Sequence, residues 1–147
     1  MKIEYNNLYT HFVFTTYLRK PVILEKNRER IEKYITGIVN NNSSKMYAVY
    51  ANPEHIHFLI SRGPHISENA LAKIIAESSE KFINENKLAS VGRFYWQNSA
   101  SAFSVSKADV NKVSKYILNQ AEHHKKKSFK EEHDAFLRYY QRTLKNK

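Results

Sequence analysis

His55-Ile56-His57, inside Pro53-Glu54-His55-Ile56-His57-Phe58-Leu59-Ile60, is where residue type and spacing first point to chemistry. Side chains along a strand alternate faces, so the two imidazoles share one face while Ile56, Phe58 and Ile60 point the other way. Two neutral imidazoles held side by side are two-thirds of a metal site. The segment Tyr116-Ile117-Leu118-Asn119-Gln120 offers the missing ligand and a nucleophile. Residues four apart on an α-helix are neighbours, so Tyr116 and Gln120 project together, at the flank of the apolar stripe Val110, Val113, Ile117 and Ala121. With that flank over the histidine face, His55, His57 and the Gln120 carbonyl oxygen form a mixed N,N,O set suited to Mg²⁺ or Mn²⁺, with imidazole favouring Mn²⁺. A metal so held is a Lewis acid for a phosphodiester. The Tyr116 hydroxyl is then placed to attack in line and to keep the bond energy as a phosphotyrosine. A phenol titrates at about 10 in water, so this step calls for positive charge nearby, which Lys112 and Lys115 on the same helix can supply.

The elements that must position these groups are legible in outline. Tyr9 to Thr16 is β-rich and partly alternating, a first strand. From Glu25 to about Asn40, Ile31, Tyr34, Ile35, Ile38 and Val39 recur at helical spacing. Met46–Tyr50 and His55–Ser61 are strands joined around Asn52-Pro53. Ser67 is a good N-cap for a helix from Glu68 to Asn86 with Leu71, Ile74, Ile75, Ser78 and Phe82 on one face. Phe94–Gln97 and Ala102–Val105 are short β-like pieces. Ser106-Lys107-Ala108-Asp109 opens the tyrosine-bearing helix, and a last helical stretch runs from about Phe129 to Leu144. This order predicts an α+β fold: a ferredoxin-like (split βαβ) antiparallel sheet with helices on one face, an open second face and C-terminal helical additions.

The 147 residues fit one domain, with 41% hydrophobic and 26% charged residues, as in an ordinary globular protein. There is no cysteine, which excludes disulfides, thiolate ligands and cysteine nucleophiles. No leader-like start or long apolar run is present, so the expectation is a cytoplasmic protein with no membrane partner. The balance of 24 basic to 14 acidic residues gives a net charge of +10, and residues 107–147 hold eleven Lys or Arg against five Asp or Glu. Such a field fits a polyanion, whose condensed counterions are released on binding. Ten tyrosines and eight phenylalanines add stacking surface, although most belong to a core.

Taken together, these segments resemble the single-tyrosine transposases of the insertion-sequence 200 type. Pro-Glu-His-Ile-His-Phe-Leu-Ile is similar to their HUH motif (histidine, hydrophobic residue, histidine), and Lys115-Tyr116-Ile117-Leu118-Asn119-Gln120 to their tyrosine helix. The early strand His11-Phe12-Val13-Phe14, Phe94-Tyr95-Trp96-Gln97, Ala102-Phe103-Ser104-Val105-Ser106 and Glu122-His123-His124-Lys125-Lys126 extend the resemblance over roughly residues 8 to 140. It implies a metal-dependent strand transferase acting on single-stranded DNA at hairpins of transposon ends, with Tyr116 as nucleophile and His55, His57 and Gln120 as ligands. It also implies a homodimer whose tyrosine helices can be shared between active sites. One departure falls after Gln97: Asn98-Ser99-Ala100-Ser101 stands where the family pattern has a Gly-Tyr-Gly-like turn, an expected constraint on a loop near the site.

Each residue also has a plainer reading. Strand histidines often only hydrogen-bond, a tyrosine at a helix margin often only packs, and Gln120 alone would be solvent-exposed. His11 reads as a structural histidine and Trp96 as core. His123, His124, Lys125 and Lys126 fit either a phosphate-binding patch or a solvated helix end, while Arg62 and Arg93 are candidate phosphate contacts without a spacing argument. The competing function is a catalytically silent single-stranded nucleic-acid-binding module on the same fold. A metal-independent phosphodiesterase with two His-x-Thr/Ser motifs falls behind, since no second copy exists.

Overall fold

A computed structural model describes residues 1–122, 128, 130–132, 134–135 and 137–138. Its elements are β1 (Tyr9–Thr15), α1 (Arg28–Asn41), β2 (Lys45–Ala51), β3 (His55–Ser61), α2 (Glu68–Glu85), β4 (Ser101–Val105) and α3 (Val110–Leu118). The four strands form one sheet in the order β2-β3-β1-β4, and every neighbouring pair is antiparallel. The α+β architecture expected from the sequence is the one observed.

Strand alternation divides the residues between two faces. Phe12, Phe14, Ile56, Phe58 and Ile60 meet Ile31, Ile35 and Val39 of α1 and Leu71, Ile75 and Ile83 of α2 in the main core. The Phe12 and Phe58 rings stack at 5.1 Å across β1 and β3, at directly paired positions. Trp96 closes this core with its Nε1–H donated to Ser79 Oγ at 2.9 Å. The second face is not open, as the sequence suggested: α3 packs on it through Val110, Val113 and Ile117, against Ala48, Leu59 and Val105. A bulge at Tyr47 shifts the β2 register so that the small Ala48 stands opposite Leu59, leaving room for the helix.

Three further expectations are corrected. Phe94–Gln97 is not a strand; Trp96 makes a lone bridge to Thr16, and Gln97 N–H donates to Thr15 at 2.8 Å. The buried face of α2 is Leu71, Ile75, Ser79 and Ile83, with Ile74 exposed and Phe82 only partly buried against Tyr34, where the rings lie 3.9 Å apart and nearly parallel. The buried row steps by four residues and so carries Ser79 to the Trp96 indole, whose Nε1–H it accepts. Helix α3 ends at Leu118, and Ala121 of the predicted stripe is exposed.

Candidate active site

The paired registers His57–Val13, His55–Thr15 and Leu59–His11 put His55, His57 and His11 on the face that carries α3. All three imidazoles are buried. The β2–β3 turn holds the first of them: Asn52 N–H donates to the His55 carbonyl at 2.8 Å, and Thr16 N–H and Oγ1–H both donate to the Glu54 carbonyl. Glu54 is thereby fixed so that its Oε1 lies 2.9 Å from His55 Nδ1. A proton on that Nδ1 leaves the Nε2 lone pair as the one turned to the cluster, the arrangement of a carboxylate–histidine–metal relay. His57 has an equivalent partner in His11, Nδ1 to Nε2 at 2.9 Å.

Glu132 converges on the same point. Its Oε1 lies 2.8 Å from His57 Nε2, its Oε2 lies 3.9 Å from His55 Nε2, and its side chain is only 3% exposed. His55, His57 and Glu132 present ligand atoms within 4.8 Å of one another, the metal-type cluster found among the described residues. The 2.8 Å approach is not aligned as a hydrogen bond. With the His57 Nδ1 proton donated to His11, a nitrogen lone pair faces a carboxylate in a buried space, and a cation between them resolves the repulsion. The donor set therefore fits a divalent ion, two imidazoles and one hard oxygen.

The electrostatics are consistent with that reading. Burial works against charge on Glu132, but the adjacent His55 and His57 imidazoles outweigh it and hold the carboxyl well below the usual carboxylate range. Burial also disfavours the His55 cation, yet Glu132 and Glu54 raise its pKa overall. His11 is lowered, chiefly by burial and then by His57, so it stays neutral and can accept or donate as a positioning group.

Tyr116 sits over this cluster, its ring 6.0 Å from that of His57 and nearly perpendicular, and Glu132 is close enough to act on its hydroxyl. Burial and the Glu132 charge push the phenol upward. The expected easing by Lys112 and Lys115 is not seen in that balance, and both lysines lie on the exposed side of α3. Gln120 is fully buried, one amide away from the histidines: Asn52 Nδ2 donates to Gln120 Oε1 at 3.0 Å and lies 3.2 Å from His55 Nε2. Gln120 follows the break at Asn119, so it does not share one continuous helix with Tyr116, although its Nε2–H reaches the Tyr116 carbonyl at 3.4 Å.

The remaining candidates lie apart. Arg62 binds Glu68 at 2.9 Å and the Ile66 carbonyl at the start of α2, and Arg93 lies 5.3 Å over the Tyr95 ring. His123, His124, Lys125 and Lys126 lie outside the described residues. Residues 98–101 have no left-handed backbone, so the loop accepts side chains in place of the expected glycines.

Sequence comparison gives the family. The model of the IS200-like transposases matches residues 4–120, and the chain belongs to that family. A putative transposase from Deinococcus radiodurans R1 superposes with a TM-score of 0.62 at 19% identity, over 82% of this chain and 96% of its own. A REP-associated tyrosine transposase bound to a REP hairpin gives 0.60 at 13% identity, over 84% and 72%. No curated protein matches the chain. Among the described residues no helix is long and apolar enough to cross a membrane.

Proposed function

We propose that this transposase cleaves and rejoins single-stranded DNA at hairpin ends through a 5′-phosphotyrosine on Tyr116. The observation that carries the reading is the buried His55–His57–Glu132 cluster with the Tyr116 ring 6.0 Å from that of His57. His55 and His57 would hold Mg²⁺ or Mn²⁺, with Glu132 as the oxygen ligand in the arrangement seen and Gln120 as the neighbouring alternative. When bound, the ion supplies Lewis acidity to a non-bridging phosphate oxygen.

The chain's own groups do the rest. Glu54 and His11 fix the imidazole tautomers, and α3 holds the Tyr116 oxygen at the cluster. The Tyr116 oxygen gives up its proton and forms the new bond to phosphorus, and as the bond to the 3′-oxygen breaks that oxygen takes up a proton and leaves as the 3′-hydroxyl. Rejoining reverses the exchange with another 3′-hydroxyl. The hairpin-bound neighbour supports a hairpin substrate. The family resemblance supports a homodimer in which Tyr116 serves its own subunit's site or its partner's.

The second reading, a silent DNA-binding module, is favoured by one feature, the upward shift that burial and then Glu132 impose on the phenol. The test is incubation of the protein with labelled single-stranded hairpin DNA from its element's ends and Mn²⁺ or Mg²⁺. A denaturant-resistant adduct, lost with Tyr116→Phe and with EDTA, is expected. Hairpin binding without an adduct in either metal would replace this reading by the silent module.

A further inference from the structure

Beside the histidine pair the same sheet face carries a second feature. A recess of about 170 Å³ is lined by Val13, Thr15, Arg19, Gln97 and the small residues Ser99–Ser101. Val13 and Thr15 are the direct partners of His57 and His55, so the recess lies one strand spacing, about 4.8 Å, from the strand that bears the proposed ligands. Its lining contains a guanidinium, a carboxamide and hydroxyls, and no acid.

The chain is bent to place Arg19 there. Leu18 and Arg19, neither a glycine, are both left-handed, with φ of 58° and 55°, a conformation that side-chain-bearing residues rarely adopt and that clusters at functional sites. Gln97 holds the bend twice: its Oε1 accepts Leu18 N–H at 3.1 Å, and its own N–H donates to Thr15. Arg19 N–H closes the turn on the Thr16 carbonyl at 2.9 Å. On the flank, the half-exposed Tyr17 and Tyr95 rings meet edge to face at 6.5 Å, with Arg93 over Tyr95. Planar hydrogen-bonding groups in a small recess beside exposed aromatics and cations are the chemistry that reads one base of a single strand.

We infer that this recess receives a nucleobase of the DNA strand next to the phosphate bound at His55 and His57, with Arg19 contacting its edge. The inference rests on the proposed single-strand function. It also gives the Asn98–Ser101 departure a role, because those side chains form the recess wall and so set which base fits.

The test uses random-sequence single-stranded oligonucleotides carrying 4-thiothymidine, without metal, read by anisotropy and by mapping photo-cross-links. Arg19→Gly removes the guanidinium where glycine is conformationally favoured, so it should melt no lower than the natural chain. Its DNA affinity should fall roughly tenfold. Leu18→Gly relieves the same strain, keeps Arg19, and should retain affinity. Cross-links within residues 13–19 or 97–101, reduced in Arg19→Gly alone, are the expected result. Cross-links confined to other segments, or equal weakening by both glycine variants, would overturn the recess and leave DNA binding standing. No binding and no cross-link with any oligonucleotide would overturn the single-strand reading and the recess with it.

Discussion

Glu132 is the residue that sequence reasoning missed. It lies twelve positions after Gln120 in a stretch that reads as one more charged helix, and no spacing rule distinguishes it from the adjacent Glu131. Only the fold shows one carboxylate buried on two imidazoles and the other exposed. The histidines were legible because a strand period of two fixes their face regardless of context. The partners were partly so: Glu54 precedes His55 directly, whereas His11 depends on the β1–β3 register. These residues carry the sharpest prediction. Glu54→Gln and His11→Phe should each weaken Mn²⁺ binding by about 10–100-fold with the fold retained, measured by calorimetry. In the same assay Glu132→Ala should lose more than Gln120→Ala if the carboxylate is the ligand; the reverse order would return that role to Gln120.

At the level of elements, the described helices and strands were placed to within about three residues, Phe94–Gln97 excepted, while their buried faces were not. Periodicity located α2 but misassigned its buried row, since Ile74 and Phe82 are as apolar as the residues that won. The decisive term is a polar one: Ser79 lies on the buried face because it accepts from Trp96 Nε1. Ser79→Ala should therefore destabilise the protein by about 1–3 kcal/mol by leaving a buried donor unsatisfied, visible in urea unfolding. A second polar device joins α1 to the edge strand, where Glu32 Oε2 accepts from Ala51 N–H at 2.9 Å and from Arg28 at 2.7 Å. Burial raises the Glu32 pKa despite these bonds. The unfolded chain then releases this proton at lower pH than the folded one, so the contribution of Glu32 to stability falls as pH rises through its folded pKa. Glu32→Gln lacks that titration. The natural chain should lose ground to it between the ordinary carboxylate range and neutral pH, as thermal midpoints across that interval would show.

The whole molecule combines a sheet with one oily face and one chemical face, a net charge of +10 and a membership in the IS200-like transposases. Charge at this scale is a statement about partners rather than fold. Logarithmic affinity for single-stranded DNA should fall linearly with logarithmic salt, and Arg93→Ala should flatten the slope by about 0.7 if it meets one phosphate; an unchanged slope would remove Arg93 from the interface. The β1–β3 register has a further consequence for how such a protein can fail. A slip of one residue would turn every side chain of β3 over, moving His55 and His57 among the phenylalanines of the main core and Ile56 and Phe58 to the face under α3. Correct pairing of one strand thus decides hydrophobic burial and metal chemistry together, so a chain that folds stably enough to persist has by the same event assembled its histidines. Misregistered copies would be unstable before they could persist with their histidines misplaced, so the sheet itself acts as a proofreader of the site.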